Sequence, residues 1–468
     1  MDLASLFYPK SIAVVGASPA KVPGKPNYYL ILKESGYKGK LYPVNPAYTV
    51  IEGTRSYPSL DALPESVDLV IVSVPVGAAM KTLEAAAKKR VKFVHFFTSG
   101  FSETGRHDLE EEMLRVARKD GTRIVGPNCL GIHCTESRVT FNPLFRQANS
   151  GNVAFLSQSG GLSDSFLRAA RSRQIEVNKA VSFGNQLDLK IEDYLDYLFH
   201  DSTVEAIGAY IEDIKNGRAF LSVLKQGAVR KPLVILKGGM TEQGARAAAS
   251  HTGAMALQHH IWSSAVRQYG CLEVDSFEKL LDVIMLATAK KIPAGPRVAF
   301  LCAGGGISVL FSDVAARHGL VLPELDQEVQ KRIRERISKV NTSVTNPVDL
   351  GAEGFDPNIM AYTMEMVDND PNIDAIVPYF IVDLMSRFGR DRIESGPKRI
   401  IQTAGKLRKP VIPVISKFNE DDLRLEEARL KIFSTFREDG LPVFGHVQKA
   451  AYAIQKILWW KGRHRVLE

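Results

Sequence analysis

The residue with the most reactive surroundings is His251, in the segment Ser250-His251-Thr252-Gly253. No large apolar residue occurs from Ala245 to Ala254, which is typical of an exposed loop. Imidazole has a pKa of about 6.5, so near neutral pH it offers a neutral nitrogen that can accept a phosphoryl group. A carboxylate on the other ring nitrogen would fix the tautomer, and we expect Glu212, or second Asp213, to supply it. The alternative is that His251 is simply one of ten histidines at the surface.

A second reactive segment is Ser157-Gln158-Ser159-Gly160-Gly161, which follows an apolar strand pattern and opens a helix. Free N–H groups, hydroxyls and the positive end of a helix together form a good cradle for an anion. We therefore predict phosphate binding by Ser157, Ser159, Gly160 and Gly161. The other interpretation is an ordinary N-cap serine before a tight turn. Ala303 to Gly306 repeat this layout with fewer side-chain donors.

A glycine turn at Gly16, Ala17 and Ser18 follows the first predicted strand. It lacks the G-x-G-x-x-G pattern, because Ser18 and Lys21 stand at the second and third glycine positions. The second strand ends in Asn45, where a nicotinamide-binding domain would carry an acidic residue for the ribose. Lys25 and Lys21 would instead neutralise additional phosphate, which suits coenzyme A with its 3′-phosphate. The alternative is a plain turn with solvated lysines.

Further polar residues stand where later strands end. Because ligands of parallel sheets bind at the carboxyl ends of the strands, we expect these residues to share one crevice. They are Ser73, Pro75, Ser99 and Asn128.

These turns need a framework of alternating strands and helices. Continuous apolar strands separated by helical patterns predict parallel, doubly wound sheets. The run Asn152–Gly161 is closely repeated by Arg297–Ser308, which indicates two copies of one unit. We predict an α/β protein with a Rossmann-like domain at 1–145, a flavodoxin-like domain carrying the histidine at 146–290, and a second flavodoxin-like domain at 291–468.

Composition narrows the class of protein. The chain has 468 residues, a net charge of +8 and no block of basic residues, so neither a disordered chain nor a nucleic-acid-binding protein is expected. Its four cysteines fit neither a disulfide framework nor a metal site, and no metal ligands are predicted. The apolar runs are too short to cross a bilayer, and the N-terminus has no signal pattern. We expect a soluble, cytoplasmic protein without a membrane partner.

Along the chain the following motifs occur in order: VVGASP, SVP, TSGF, GPNCLG, SQSGG, SFGNQLDL, YIED and SHTG. In this order they resemble the motifs of NDP-forming acyl-CoA synthetases and of the α subunit of succinyl-CoA synthetase. The third segment and the length resemble the α subunit of archaeal-type ADP-forming acetyl-CoA synthetase. The resemblance spans essentially the whole chain, and its most specific part is SQSGG followed about ninety residues later by SHTG.

The resemblance implies the reversible reaction acyl-CoA + ADP + phosphate ⇌ acid + ATP + CoA, through an acyl phosphate and a phosphohistidine. It implies that His251 carries the phosphoryl group, that Glu212 supports it, and that the 157–161 turn binds phosphate. The cofactors would be coenzyme A, inorganic phosphate, and ADP or ATP with Mg²⁺ on a partner subunit. The coenzyme A pocket would include Gly16, Ala17, Ser18, Lys25, Asn45, Ser73, Pro75, Ser99 and Asn128.

The sequence departs from this family pattern in two respects. After SHTG it reads Ala-Met-Ala-Leu, with Leu257 where the family usually has glycine, which bears on how the loop swings. The three predicted α/β units also leave no segment for an ATP-grasp domain. We therefore expect an ATP-grasp β subunit as partner, in an α2β2 hetero-oligomer.

Three other functions compete with this one. A nicotinamide-dependent oxidoreductase is suggested only by the Rossmann-like start. A non-catalytic regulatory protein could have kept coenzyme A binding alone. A fragment of a fused acetyltransferase would need an acetyltransferase segment, which neither end shows. The acyl group and the choice between ADP and GDP are left open by the sequence.

Overall fold

The computed structural model describes residues 2–20, 25–145, 149–252, 259–388 and 393–467. The chain forms two compact units, Met1–Phe277 and Glu278–Glu468. No helix within these described ranges is both long and apolar enough to cross a membrane.

The first unit begins with a five-stranded parallel sheet in the order β2-β1-β5-β6-β7. Its strands are rich in β-branched and aromatic residues that are buried on both faces, as parallel sheets require. A small antiparallel hairpin, β3-β4, lies after β2. The elements are α1 Ala4–Phe7, β1 Ser11–Val15, α2 Tyr28–Ser35, β2 Lys40–Val44, β3 Val50–Ile51, β4 Thr54–Arg55, β5 Leu69–Val72, α3 Val76–Lys88, β6 Phe93–Phe96, the 3-10 turn Ser102–Thr104, α4 His107–Asp120 and β7 Arg123–Val125.

A second sheet in the same unit has six strands in the order β13-β12-β11-β9-β10-β8. All its pairs are parallel except β10 with β8, which is antiparallel. The elements are β8 Gly131–Cys134, the 3-10 turn Pro143–Phe145, β9 Val153–Ser157, α5 Gly160–Ser172, β10 Val177–Ser182, α6 Ile191–His200, β11 Ala206–Ile211, α7 Gly217–Gly227, β12 Leu233–Lys237, α8 Glu242–Thr252, α9 His259–Gln268 and β13 Leu272–Val274.

The second unit contains a four-stranded parallel sheet in the order β15-β14-β16-β17. Its helices enclose a core of Leu, Ile, Val, Met and Phe side chains. The elements are α10 Phe277–Ala287, β14 Val298–Cys302, α11 Gly305–Arg317, α12 Gln327–Arg334, β15 Val348–Asp349, the 3-10 turn Gly351–Phe355, α13 Pro357–Asp368, β16 Ala375–Ile381, α14 Val382–Met385, the 3-10 turn Ser386–Phe388, α15 Gly396–Lys406, β17 Val414–Ser416, α16 Leu423–Glu438 and α17 Val447–Leu467.

The repeat read from the sequence is also a repeat in space. The order β10-β9-β11-β12 corresponds to β15-β14-β16-β17, so both sheets place their second strand beside the first and then add the third and fourth. Phe155 of β9 stacks on Phe166 of α5 with ring centroids 3.8 Å apart, and Phe300 of β14 stacks on Phe311 of α11 at 3.9 Å. The predicted α/β class and the two flavodoxin-like sheets are therefore confirmed.

The domain boundaries themselves stay a prediction. The second sheet takes its edge strand, β8, from a segment that precedes the predicted boundary at 145/146. Residues of the predicted first domain therefore contribute one edge strand to the sheet of the second domain.

A half-buried ion pair ties the two sheets of the first unit together. Asp188, which follows β10, accepts hydrogen bonds from Arg123 Nε at 2.7 Å and from Arg123 Nη2 at 3.1 Å. The same carboxylate accepts the Ile124 N–H at 2.9 Å. Hydrogen bonds to a charged group in this setting are stronger than neutral ones.

We expect Asp188→Asn to lower the free energy of unfolding by about 1–2 kcal/mol, because one fork of the Arg123 contact is lost. Chemical denaturation monitored by circular dichroism measures this. The matched control is Glu112→Gln, which breaks the exposed Arg115–Glu112 pair and should change nothing measurable. Equal losses in both variants would contradict the role given to Asp188.

Candidate functional site

The carboxyl ends of the strands of both sheets in the first unit line one cleft of about 620 Å³. This is where open parallel sheets bind ligands, beside the point at which the strand order reverses. Loops after β5, β6, β7, β9 and β10 contribute. The lining residues are Lys25, Ser73, Val74, Pro75, Val76, Phe97, Thr98, Ser99, Asn128, Cys129, Leu130, Gln158, Ser159, Gly160, Gly161, Gly184 and Asn185.

The cleft brings together many of the residues predicted from the sequence. Eight of them are in its lining: Lys25, Ser73, Pro75, Ser99, Asn128, Ser159, Gly160 and Gly161. The remaining predicted site residues whose side chains the structure describes are not in that lining: Gly16, Ala17, Ser18, Asn45, Ser157 and Glu212.

The first glycine turn shapes the crevice instead of lining it. Gly16 has φ +91°, and a Cβ atom there would lie 2.4 Å from the carbonyl oxygen of Ser73, so only glycine fits. Asn45 Nδ2 donates to the Ala17 carbonyl at 2.7 Å, which holds the turn against the end of β2. Ser18 Oγ accepts the Ala20 N–H at 3.1 Å. Lys21 lies outside the described residues.

The 157–161 turn separates into a buried part and an open part. Ser157 is fully buried, and its hydroxyl donates to the Ser159 carbonyl at 2.8 Å while accepting the Ser159 N–H at 3.1 Å. Ser159 is the N-cap of α5 and accepts the Leu162 N–H at 3.3 Å. Gly160 and Gly161 form the first turn of this thirteen-residue helix, where backbone N–H groups have no intrahelical acceptor. Ser157 therefore fixes the turn, and the next residues face the cleft.

Sequence reasoning missed Gln158 as a site residue. Its side chain is 5% exposed and lines the cleft, and Oε1 accepts the backbone N–H groups of Glu212 and of Asp213, the latter at 2.8 Å. Its position inside SQSGG was the only available signal, since the contact with Glu212 spans 54 residues.

Glu212 follows β11 directly and is buried at the switch point between β9 and β11. Burial raises the pKa of Tyr210, and the charge of Glu212 and its hydrogen bond to this hydroxyl raise it further. Lys237 Nζ donates to the Glu212 carbonyl at 2.7 Å. Burial lowers the pKa of Lys237, although the charges of Asp213 and Glu212 oppose that shift.

The histidine segment is helical where a loop was expected. Helix α8 runs from Glu242 to Thr252, so the loop prediction was wrong for this stretch. Its many alanines, which have the highest helix propensity, account for the difference. The side chain of His251 lies outside the described residues, as does Leu257, so the contact between His251 and Glu212 stays a prediction. The backbone of α8 lies beside the 3-10 turn Ser102–Thr104.

That 3-10 turn is connected to the cleft through Asn185. Asn185 Nδ2 donates to Glu103 Oε2 at 2.6 Å and to Glu110 Oε1 at 2.8 Å, and Asn128 Nδ2 donates to Asn185 Oδ1 at 3.4 Å. Partial burial would raise the pKa of Glu103, but hydrogen bonds from the Gly100 N–H and from Asn185 outweigh it and lower that pKa. The network holds the loops after β6, β7 and β10 in one arrangement, and no local motif predicted it.

In the second unit, the turn at residues 303–306 corresponds to the 157–161 turn, but a carboxylate of the chain is bound to it. Gly304 N–H, just before α11, donates to Asp349 Oδ1 at 2.8 Å, and Gly351 N–H donates to the same oxygen at 2.9 Å. The anion cradle suggested for residues 303–306 thus already contains a carboxylate of the chain itself.

In the main cleft, Lys25 is the one charged side chain among the described lining residues. The other polar groups are hydroxyls, amides and backbone N–H groups at the start of α5. Such neutral donors with a single cation suit a phosphorylated ligand, and they stabilise an oxyanion without needing an ion pair.

The two glycines of the first α5 turn differ in available space. A Cβ on Gly160 would lie 3.1 Å from Leu130 Cγ, whereas on Gly161 the nearest atom is Ser159 Oγ at 3.9 Å. We expect Gly161→Ala to raise the free energy of unfolding by up to about 1 kcal/mol, because alanine favours helix. The free energy of unfolding of Gly160→Ala should be lower than that of Gly161→Ala, because the new methyl group at residue 160 forces Leu130 to move. Thermal unfolding of the two variants checks this, and equal melting temperatures would contradict it.

Family models match the two parts that form this cleft. Residues 10–135 match a CoA binding domain, and residues 150–287 match a succinyl-CoA ligase like flavodoxin domain. Fold and site thus define a protein that combines a CoA-binding domain with a succinyl-CoA ligase like flavodoxin domain.

Individual relatives identify the family to which the chain belongs. The α subunit of ADP-forming acetate–CoA ligase II of Pyrococcus furiosus is 36% identical over 80% of this chain and 82% of its own length. ADP-forming acetate–CoA ligase I of Archaeoglobus fulgidus is 35% identical over 80% of this chain, which spans 54% of that longer protein. The chain belongs to the family of ADP-forming acetate–CoA ligase α subunits.

A solved structure agrees with this family over the full length. The dinucleotide-forming acetyl-coenzyme A synthetase 1 of Ca. Korarchaeum cryptofilum, in complex with phosphate and ADP, is 32% identical with a TM-score of 0.87. The similarity covers 100% of this chain and 98% of that one.

Proposed function

We propose that this chain is the α subunit of an ADP-forming acyl-CoA synthetase that acts on acetyl-CoA and converts acyl-CoA, ADP and phosphate into acid, ATP and CoA. The observation that carries the proposal is the single cleft that joins the predicted CoA-binding residues to the first turn of α5. A thioester and a phosphate bound there would lie side by side.

The cleft residues suit coenzyme A. Val74, Pro75 and Val76 offer an apolar wall for the pantetheine arm, and Lys25 offers a cation for a phosphate group. Ser73, Ser99 and Asn128 supply hydrogen-bonding groups along the same lining. The tight contact of Gly16 with Ser73 keeps this edge of the sheet narrow.

In the first step, phosphate bound at Ser159, Gly160 and Gly161 attacks the thioester carbonyl carbon. A C–O bond forms, the C–S bond breaks, and the CoA sulfur leaves with the proton that the phosphate gives up. The product is an acyl phosphate. The N-terminal dipole of α5 and its free N–H groups stabilise the phosphate charge throughout the step.

In the second step, a neutral nitrogen of His251 attacks the phosphorus of the acyl phosphate. The N–P bond forms and the P–O bond to the acyl group breaks, so the carboxylate leaves. Glu212 stabilises the positive charge that develops on the imidazole ring. An oxygen of the ADP β-phosphate then takes the phosphoryl group, which breaks the N–P bond and restores the histidine.

The nucleotide and its Mg²⁺ belong, in this proposal, to an ATP-grasp β subunit in an α2β2 assembly. We also place the protein in the cytoplasm. The four cysteines support a reducing compartment, because all of them are buried and unpaired.

Intact-mass analysis tests the histidine step. The purified chain, mixed with the partner subunit, Mg²⁺ and ATP, should gain one acid-labile phosphoryl group. His251→Ala should gain none, while the neighbouring exposed His260→Ala should behave like the wild type. A wild-type protein that binds CoA but takes up no phosphoryl group would favour the regulatory alternative.

Lys25 allows a test of the coenzyme A site. We expect Lys25→Ala to raise the KM for CoA roughly 2- to 5-fold, because one exposed charge contact contributes up to about 1 kcal/mol. The wild type should discriminate against dephospho-CoA, which lacks the 3′-phosphate, and Lys25→Ala should lose much of that discrimination. The control is Lys38→Ala, at an exposed lysine. Unchanged discrimination in Lys25→Ala would remove Lys25 from the 3′-phosphate site.

A further inference from the structure

We infer that Gln158 is a phosphate-binding residue whose side-chain amide donates a hydrogen bond to the phosphoryl group, while its oxygen positions Glu212. This inference rests on the proposed function and deepens it, because it adds a donor that the sequence motifs did not assign.

The orientation of the amide is fixed by its surroundings. Both groups that contact Oε1 are backbone N–H groups, of Glu212 and of Asp213, and these can only donate. The oxygen must therefore face the end of β11, and Nε2 must point the other way. The backbone of Gln158 is also held, since its N–H donates to the Tyr210 carbonyl at 3.2 Å. The side chain is thus anchored on the side away from the cleft.

The amide nitrogen is the part left for a ligand. Gln158 lines the cleft beside Ser159, although its side chain is 95% buried. Among the described residues, the hydrogen bonds of the Gln158 side chain are the two that Oε1 accepts. Because Gln158 belongs to the lining of the cleft, this donor is available to a ligand bound there.

A neutral donor suits this position for an electrostatic reason. A phosphate at the start of α5 would lie close to Glu212, because Gln158 accepts the Glu212 N–H and directly precedes the N-cap Ser159. An amide can donate to the phosphate without adding negative charge and without forming an ion pair that neutralises Glu212. Because the same amide contacts Glu212 through its oxygen and the phosphoryl group through its nitrogen, the positions of the two groups are coupled.

The decisive variant is Gln158→Glu. One carboxylate oxygen can still accept the Glu212 and Asp213 N–H groups, but the other offers a negative charge in place of a donor. We expect kcat to fall roughly 100- to 1,000-fold, as for loss of an oxyanion donor, and the KM for CoA to stay within about 3-fold. Activity relative to wild type should rise as the pH falls, because a protonated carboxyl group can donate again.

Gln158→Met is the matched variant. It removes the donor and the acceptor together, so it should lose activity as well and also melt at a lower temperature than Gln158→Glu. A purely structural role predicts the opposite pattern: Gln158→Glu would keep the wild-type kcat and pH profile, and only Gln158→Met would be impaired. That pattern would overturn the inference.

The KM for inorganic phosphate in acyl phosphate formation provides a second measurement. If Gln158→Glu fails to fold, Gln158→Asn keeps the amide chemistry but shortens its reach, and it should raise the phosphate KM at least 10-fold. A wild-type phosphate KM in that variant would overturn the inference.

The histidine test separates this inference from the proposed function. If the wild type takes up no phosphoryl group, the proposed function fails. If wild type and Gln158→Glu take it up at equal rates and His251→Ala does not, the proposed function stands and only the role of Gln158 fails.

Discussion

Every group of the site depends on one topological constraint, the reversal of strand order beside the first strand of a parallel sheet. At β1 and β5, and again at β9 and β11, the connections that follow two neighbouring strands leave the sheet in opposite directions. A crevice opens between these connections. Gly16 meets Ser73 at the first reversal, and Gln158 meets Glu212 at the second. Because both crevices open in the same unit, one cleft can hold a thioester and a phosphate together.

The polar contacts around the cleft hold loops that have no regular structure of their own. Asn185 is the clearest case, since its amide joins carboxylates of the Ser102–Asp120 region to Asn128 in the loop after β7. Ion pairs at the surface could not hold these loops as well, because water and salt weaken them. The half-buried Arg123–Asp188 pair acts in the same way on the far side of β7.

The sequence predicted what depends on local patterns. Strand ends, the two glycine turns and the repeat could be read directly, because apolar periodicity and helix starts are local properties. It failed at Ala245–Thr252, where the absence of large residues suggested a loop although alanine favours a helix. It could not separate buried Ser157 from open Ser159, and it could not find Gln158 or Asn185, whose partners lie 54 to 83 residues away.

The stacked phenylalanine pairs show that the two flavodoxin-like sheets share one packing framework. The turns that precede the first helix of each sheet differ. Ser159 begins α5 with an open hydroxyl cradle, whereas the Gly304 N–H before α11 is hydrogen-bonded to Asp349. An incoming anion would be attracted by the first turn and would have to displace or tolerate a negative charge at the second. The same strand order therefore carries two turns of opposite local polarity, so one turn can serve a different role without a change in the packing beneath the other.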